Sequence, residues 1–236
     1  MCIRDRARAE AIGRRRTDRL PFAAPSAFSA FEPVLRSTID TEKATLEVLP
    51  EEVRPQLAEA SRLTESLRRY DSSYHAELQW WTAPFETTDG VPYSALVSAS
   101  EGDRVDVARK FPSAEHPDRR PEVDRDHSVI VVLSTYGDTR RDALGCGEVL
   151  SDVLLEATLA GLATCTLSHL TELEASRNII RALTGGSGNP QLLIRIGEVP
   201  AIDDQPLATP RRPLAEVLEM RGPDEGHNPE TPPTGQ

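Results

Sequence analysis

Residues 14–19 hold four arginines (Arg14, Arg15, Arg16 and Arg19), and Arg211 and Arg212 stand side by side near the other end of the chain. A planar guanidinium offers a fork of donors that matches a phosphate or carboxylate, so both clusters are candidate anion grips. The 14–19 cluster reads equally well as an ordinary surface patch partnered by Asp18 and Glu10. His169, in TLSHLTE at 166–172, is a second candidate, because an imidazole can carry a proton near neutral pH. A lone histidine between Ser168 and Leu170 also fits a loop residue packed on a helix end.

Other chemistries lack their residues. His75, His116, His127, His169 and His227 form no HExxH or metal-ligand spacing with one another or with Cys2, Cys146 and Cys165. The chain has no GxGxxG after a strand, no GxxxxGK and no GxSxG elbow. GGSG at 185–188 follows a helical stretch and lacks the lysine, so it reads as a flexible turn. Trp80 and Trp81 read as core or interface residues.

The 27 basic and 38 acidic residues give a net charge of −11, which argues against binding nucleic acid or an anionic membrane. No apolar run is long enough to span a bilayer, and the N-terminus shows no secretory h-region. An odd number of cysteines without a CxxC pair points to free thiols and a cytoplasmic setting.

Elements that would position these residues follow from periodicity. Residues 4–14 read as a helix ahead of an arginine-rich loop closing at Pro21, and Phe28, Phe31, Val34 and Leu35 mark a second helix kinked near Pro33. Ala44 to Leu49 reads as a brief strand. Val53, Leu57, Ala60, Leu63 and Leu67 predict an amphipathic helix over 51–70, and Ser73 is a candidate cap for the helix after it. Residues 84–127 are polar and aperiodic, as expected of a lid or loop. SVIVVLS at 128–134 is a central strand and PQLLIRIG at 190–197 another. Between them runs a helix opened by Gly145 and Gly147 and stopped by Gly161, with Glu148, Asp152 and Glu156 as a solvated acidic edge. Thr171 and Glu174 spell a capping box for the next helix. Residues 222–236 have nothing apolar to bury and read as a disordered tail. Strands alternating with helices favour an α/β or α+β layered domain, here taken as one unit over 1–221.

The ordered set of Gly145 to Gly147, ATLAGLA at 157–163, TLSHLTE at 166–172, PQLLIRIG at 190–197 and TPRRPL at 209–214, with AIGRRRTDRLPF at 11–22, resembles a nitroreductase-like flavoprotein. More narrowly it resembles the second repeat of the mycobacterial Acg group of NAD(P)H nitroreductases. The resemblance implies an α+β nitroreductase-like fold, with a central mixed sheet flanked by helices, and FMN and NAD(P)H as cofactors. It implies hydride transfer to a small-molecule electron acceptor such as a nitroaromatic or quinone. By the same resemblance Arg15, Arg16, Thr17 and Arg19 take the phosphate-binding opening and Arg211 or Arg212 the matching C-terminal position. Leu167, Ser168 and His169 fall on the loop along the flavin ring, and the polar lid over the cofactor cleft. No catalytic side chain follows, since flavin chemistry asks the protein for positioning more than for an acid or base.

The Acg-like plan would put a whole repeat ahead of residue 11, and a PSxxNxQPW-like segment is absent after the arginine-rich opening. An N-terminally incomplete chain is therefore expected, pairing as a homodimer or with the missing repeat. The alternative function is a flavin-binding or flavin-sequestering stress protein of the same fold without turnover.

Overall fold

The computed structural model describes residues 3–82, 90–186, 188–200 and 212–219. In chain order they form α1 (Ile3–Arg14), α2 (Phe28–Thr38), β1 (Thr45–Leu49), α3 (Arg54–Arg68), α4 (Ser72–Trp81), α5 (Ala99–Asp103), β2 (Val129–Thr135), α6 (Arg140–Leu159), β3 (Ala163–Leu167), α7 (His169–Glu172), α8 (Glu174–Leu183), β4 (Asn189–Gly197) and α9 (Leu214–Val217). Among the described residues the strands make one four-stranded sheet in the order β1-β2-β4-β3. The two strands read from SVIVVLS and PQLLIRIG are its central pair, in register from Val129 opposite Ile196 to Thr135 opposite Asn189, with a shift at Leu133/Ser134. The class is α+β. All four strands pair antiparallel, and the parallel part expected of a mixed sheet is a single bridge, Thr17 to Thr164.

Alternation along the strands makes two cores. One face packs Val131, Leu133, Ile194 and Ile196 against Val149, Val153 and Ala157 of α6. The other packs Ile130, Val132 and Leu193 against Leu57 of α3 and Ile180 of α8. Gly161 ends the α6 turn at φ +75, a left-handed conformation that costs glycine nothing. Gly197 is required by contact: a Cβ there would sit 2.4 Å from the Phe22 Cβ, because the chain's opening crosses the end of β4. The amide of Ala23 donates to the Glu198 carbonyl at 3.1 Å and fixes that crossing.

Several local readings are corrected. The acidic edge of α6 is a docking face: Glu148 meets Lys43 at 2.8 Å, Asp152 pairs with Arg8 of α1, and Glu156 is buried beneath it. The buried face of α3 runs through Arg54, Leu57, Ala58, Ser61 and Thr64, and Leu67 is exposed. Asp71, not Ser73, caps α4, accepting from the Tyr74 amide at 3.0 Å. Thr171 caps nothing; its hydroxyl lies 2.8 Å from the Ser168 carbonyl and 2.7 Å from that of Gln191, so it ties α7 to β4 instead. Within the segment read as structureless, residues 90–127 contain α5 with a full capping box (Ser98 and Glu101), and Arg104 donates to the carbonyls of Arg120 and Val123, both at 2.6 Å. Trp80, 64% exposed, and Trp81 pack on each other at the end of α4 rather than in the core. The 222–236 tail lies outside the described residues.

Candidate functional site

The site is framed by a buried ionic knot. Asp126 accepts from the Phe22 amide at 2.9 Å, from Ser128 at 2.6 Å, from Arg54, and from Arg195 at 2.6 and 3.0 Å. Arg195 is fully buried and also donates to the Leu20 carbonyl at 2.9 Å. Arg120 donates to Asp18 at 2.6 Å and to the Pro21 carbonyl at 3.1 Å. Burial by itself raises the Asp126 pKa; the charge and hydrogen bonds of Arg195, with Ser128 and the Phe22 amide, more than reverse this and bring it down to about 2. These contacts pin residues 18–22 against the sheet.

Pinning them delivers Arg19 to a cavity of about 400 Å³. Residues 15–19 follow α1, and the Asp18 amide donates to the Thr164 carbonyl at 2.9 Å beside β3. Alternate side chains of extended backbone point apart, so Asp18 turns to Arg120 while Arg19 enters the cavity. Its guanidinium lies 4.8 Å from the centre of the Phe111 ring and meets no carboxylate among the described residues. The partners that a surface cluster would use are engaged elsewhere, Asp18 with Arg120 and Glu10 with Arg6.

Leu167, Ser168 and His169 form the opposite wall, where β3 turns into α7. Val97, Val105 and Phe111 from the segment before β2 supply an apolar surface. Other cations at the cavity are matched: Arg109 binds Glu172 and Ser168, Lys110 meets Glu65 at 3.4 Å, and Arg195 is held by Asp126. His169 is 3% exposed, with Nε2 2.9 Å from the Ser61 hydroxyl oxygen and no partner for Nδ1. Burial, then the charge of Arg109, lowers its pKa to about 3. A neutral imidazole of that kind holds no proton to give at neutral pH. Cys165, also at the cavity, is buried with its thiol pKa pushed up, as is Cys146 at about 11.

Of the residues singled out in the sequence, Arg19, Leu167, Ser168 and His169 thus meet in one cavity. Arg15, Arg16 and Thr17 precede it and are not in its lining. Arg212 lies on an exposed stretch ahead of α9, also outside the lining, and Arg211 is outside the described residues. Sequence reasoning missed Ser61, Arg109, Phe111 and Arg195. Arg195 left a signal, a charge in the middle of an apolar strand; the other three left none.

Over 219 residues the chain is 55% identical to a Mycobacterium tuberculosis protein named "Putative NAD(P)H nitroreductase acg", which covers 93% of this chain and 66% of that protein. The chain belongs to the Acg group of nitroreductase-like proteins. A second M. tuberculosis relative of the group, itself uncharacterized, is 52% identical over 224 residues, 94% of this chain and 65% of its own length. The chain therefore spans just under two thirds of the curated Acg-group relatives it matches. No protein-family model matches it. Its fold is similar to that of the FMN-dependent nitroreductase NfnB of Mycobacterium smegmatis, solved with NADPH (TM-score 0.55, 16% identical, covering 92% of this chain and 99% of that one). It is also similar to a nitroreductase with bound FMN from Bacteroides fragilis (TM-score 0.53, 14% identical, covering 91% and 98%). At those identities the likeness is one of fold.

Proposed function

We propose that this chain carries the flavin site of an FMN-dependent NAD(P)H oxidoreductase of nitroreductase type, acting on a small nitroaromatic, quinone or similar acceptor. The observation that carries the reading is Arg19, a cation without a carboxylate, facing the 167–169 corner across one cavity. A flavin mononucleotide needs a cation for its phosphate, an apolar wall and polar atoms at the ring edge. Arg19 supplies the first and Val105, Phe111 and Leu167 the second. Arg195 Nη1, a buried donor with no acceptor in the protein, is available for the third. Bound there, the flavin would supply the hydride chemistry between nicotinamide and acceptor. The chain's own part is to hold and orient: Arg19 grips, the 97–113 segment roofs the cavity and excludes water, and the ionic knot keeps Arg19 in place. Arg15, Arg16, Thr17 and the Arg211–Arg212 pair remain part of this reading as further phosphate contacts.

The exposed Trp80–Trp81 pair supports pairing with a second copy or a preceding repeat, since apolar surface of that kind marks interfaces. Among the described residues no helix is long and apolar enough to cross a membrane. With Cys146 and Cys165 free, we place the protein in the cytoplasm.

The test is the flavin spectrum of the purified chain, followed by anaerobic addition of NADH or NADPH. Bound FMN that bleaches supports the oxidoreductase. Bound FMN that stays oxidised favours flavin sequestering. Protein that takes up no FMN overturns the reading.

A further inference from the structure

Next to the large cavity lies a smaller one of about 190 Å³, apolar at Tyr74, Leu78 and Pro112 and polar at His75 and Gln79. Ser61 and His169 line both. Their hydrogen bonds fix the state of the imidazole. Ser61 has one proton and two neighbours that could take it, the Ala108 carbonyl at 2.9 Å and His169 Nε2 at 2.9 Å. Donation to His169 would leave two oxygens facing each other at Ala108, and would make Nδ1 a buried N–H without an acceptor. Donation to Ala108 satisfies both contacts, with His169 Nε2–H donating to Ser61, and leaves Nδ1 as an unfilled acceptor. Orphaned buried N–H groups are rarer than under-used acceptors, so the second arrangement holds. The lowered pKa of His169 agrees with a neutral ring.

From this we propose that the smaller cavity binds a single-ring hydroxyaromatic of the phenol or hydroquinone class, whose O–H donates to Nδ1 of His169. A cavity of about 150 Å³ holds benzene, so 190 Å³ takes one ring with a substituent or two and no fused system. Tyr74 offers the ring an aromatic neighbour, and the open acceptor on a side chain that is nine-tenths buried demands a donor. The proposal goes beyond the flavin reading and does not depend on it.

The experiment is titration of the whole chain with phenol and with toluene, which has the same size and no donor, followed by calorimetry and by the His169 ¹⁵N resonances. Phenol is expected to bind about ten- to a hundredfold tighter than toluene, because toluene leaves a buried acceptor unpaired. The Nδ1 resonance should read as unprotonated and shift with phenol alone. His169→Phe should bring the two affinities together; if it does not fold, Ser61→Ala, which frees the tautomer, should narrow the ratio. Equal affinities in the wild type, a ratio that survives His169→Phe, or no binding of either probe overturns the proposal. Loss of phenol binding under saturating FMN also overturns it, by placing the probe in the larger cavity, and leaves the flavin reading standing. If FMN does not bind at all, the flavin reading fails and the phenol-to-toluene ratio still decides this one.

Discussion

The Asp126 knot and the cavity wall at His169 are made from the same kinds of side chain, buried to the same degree, and differ in whether their polar atoms are matched. In the knot the carboxylate of Asp126 takes bonds from Arg54, Arg195, Ser128 and the Phe22 amide. At the cavity, His169 Nδ1 and Arg195 Nη1 have no partner and Arg19 no carboxylate. Arg195 belongs to both, one edge locked to Asp126 and one nitrogen open. A buried polar group that is fully paired specifies the path of the chain; one left unpaired is costly unless something else fills it. The knot holds the opening segment in place, and the cavity is where a ligand completes the set.

The largest expected effect breaks the knot. Asp126→Asn removes the charge that balances Arg195 and Arg54, and should cost about 3–5 kcal/mol of stability in urea denaturation. A loss under about 1 kcal/mol would mean that other contacts hold residues 18–22.

Acid separates the two regions by pH window. The folded pKa of His169, about 3, lies below its ordinary value of 6.5, so the unfolded chain takes up the proton first. Stability should therefore be level above pH 6.5 and fall as pH drops from 6.5 towards 3, by about 1.4 kcal/mol per unit, or about 2 kcal/mol by pH 5. His169→Gln should flatten that slope. Asp126 acts lower: its folded pKa of about 2 sits under the ordinary 3.8, so its stabilisation is present above about pH 4 and is lost as pH falls through 2. A wild type whose stability does not change between pH 7 and 5 would contradict the buried neutral imidazole.

The central sheet was legible because β2 and β4 are continuous apolar runs, the pattern left by burial on both faces. What was not legible is polar burial. The inward face of α3 contains Arg54, Ser61 and Thr64, so a search for apolar repeats put it one stripe away, on Leu63 and Leu67. The acidic stripe of α6 looked solvated because Arg8, its partner, lies far off in the chain. The Thr171–Glu174 spacing fits a capping box, yet a tertiary acceptor, the Gln191 carbonyl, has the Thr171 hydroxyl. Local rules of that kind yield where a long-range polar contact competes. Half of the site was visible through the motif carrying Arg19 and the one carrying Leu167 to His169; Phe111 and Ser61 come from stretches whose sequence is generic.

The smallest effect is a reference outside both regions. Arg8→Ala removes the half-exposed pairing of α1 with Asp152 and should cost about 1 kcal/mol or less. A larger loss would show that α1 docking, rather than the knot, secures the opening segment.

The most direct test of the cavity as a flavin phosphate site is a pair of titrations, FMN and riboflavin, on the wild type and on Arg19→Ala. A charge-assisted contact of about 1.5–3 kcal/mol gives a loss of roughly ten- to a hundredfold in FMN affinity. Riboflavin, which lacks the phosphate, should bind both proteins alike, and the urea midpoint should stay where it is. Equal FMN affinity in the two proteins, or an equal loss for riboflavin, would contradict Arg19 as the phosphate grip.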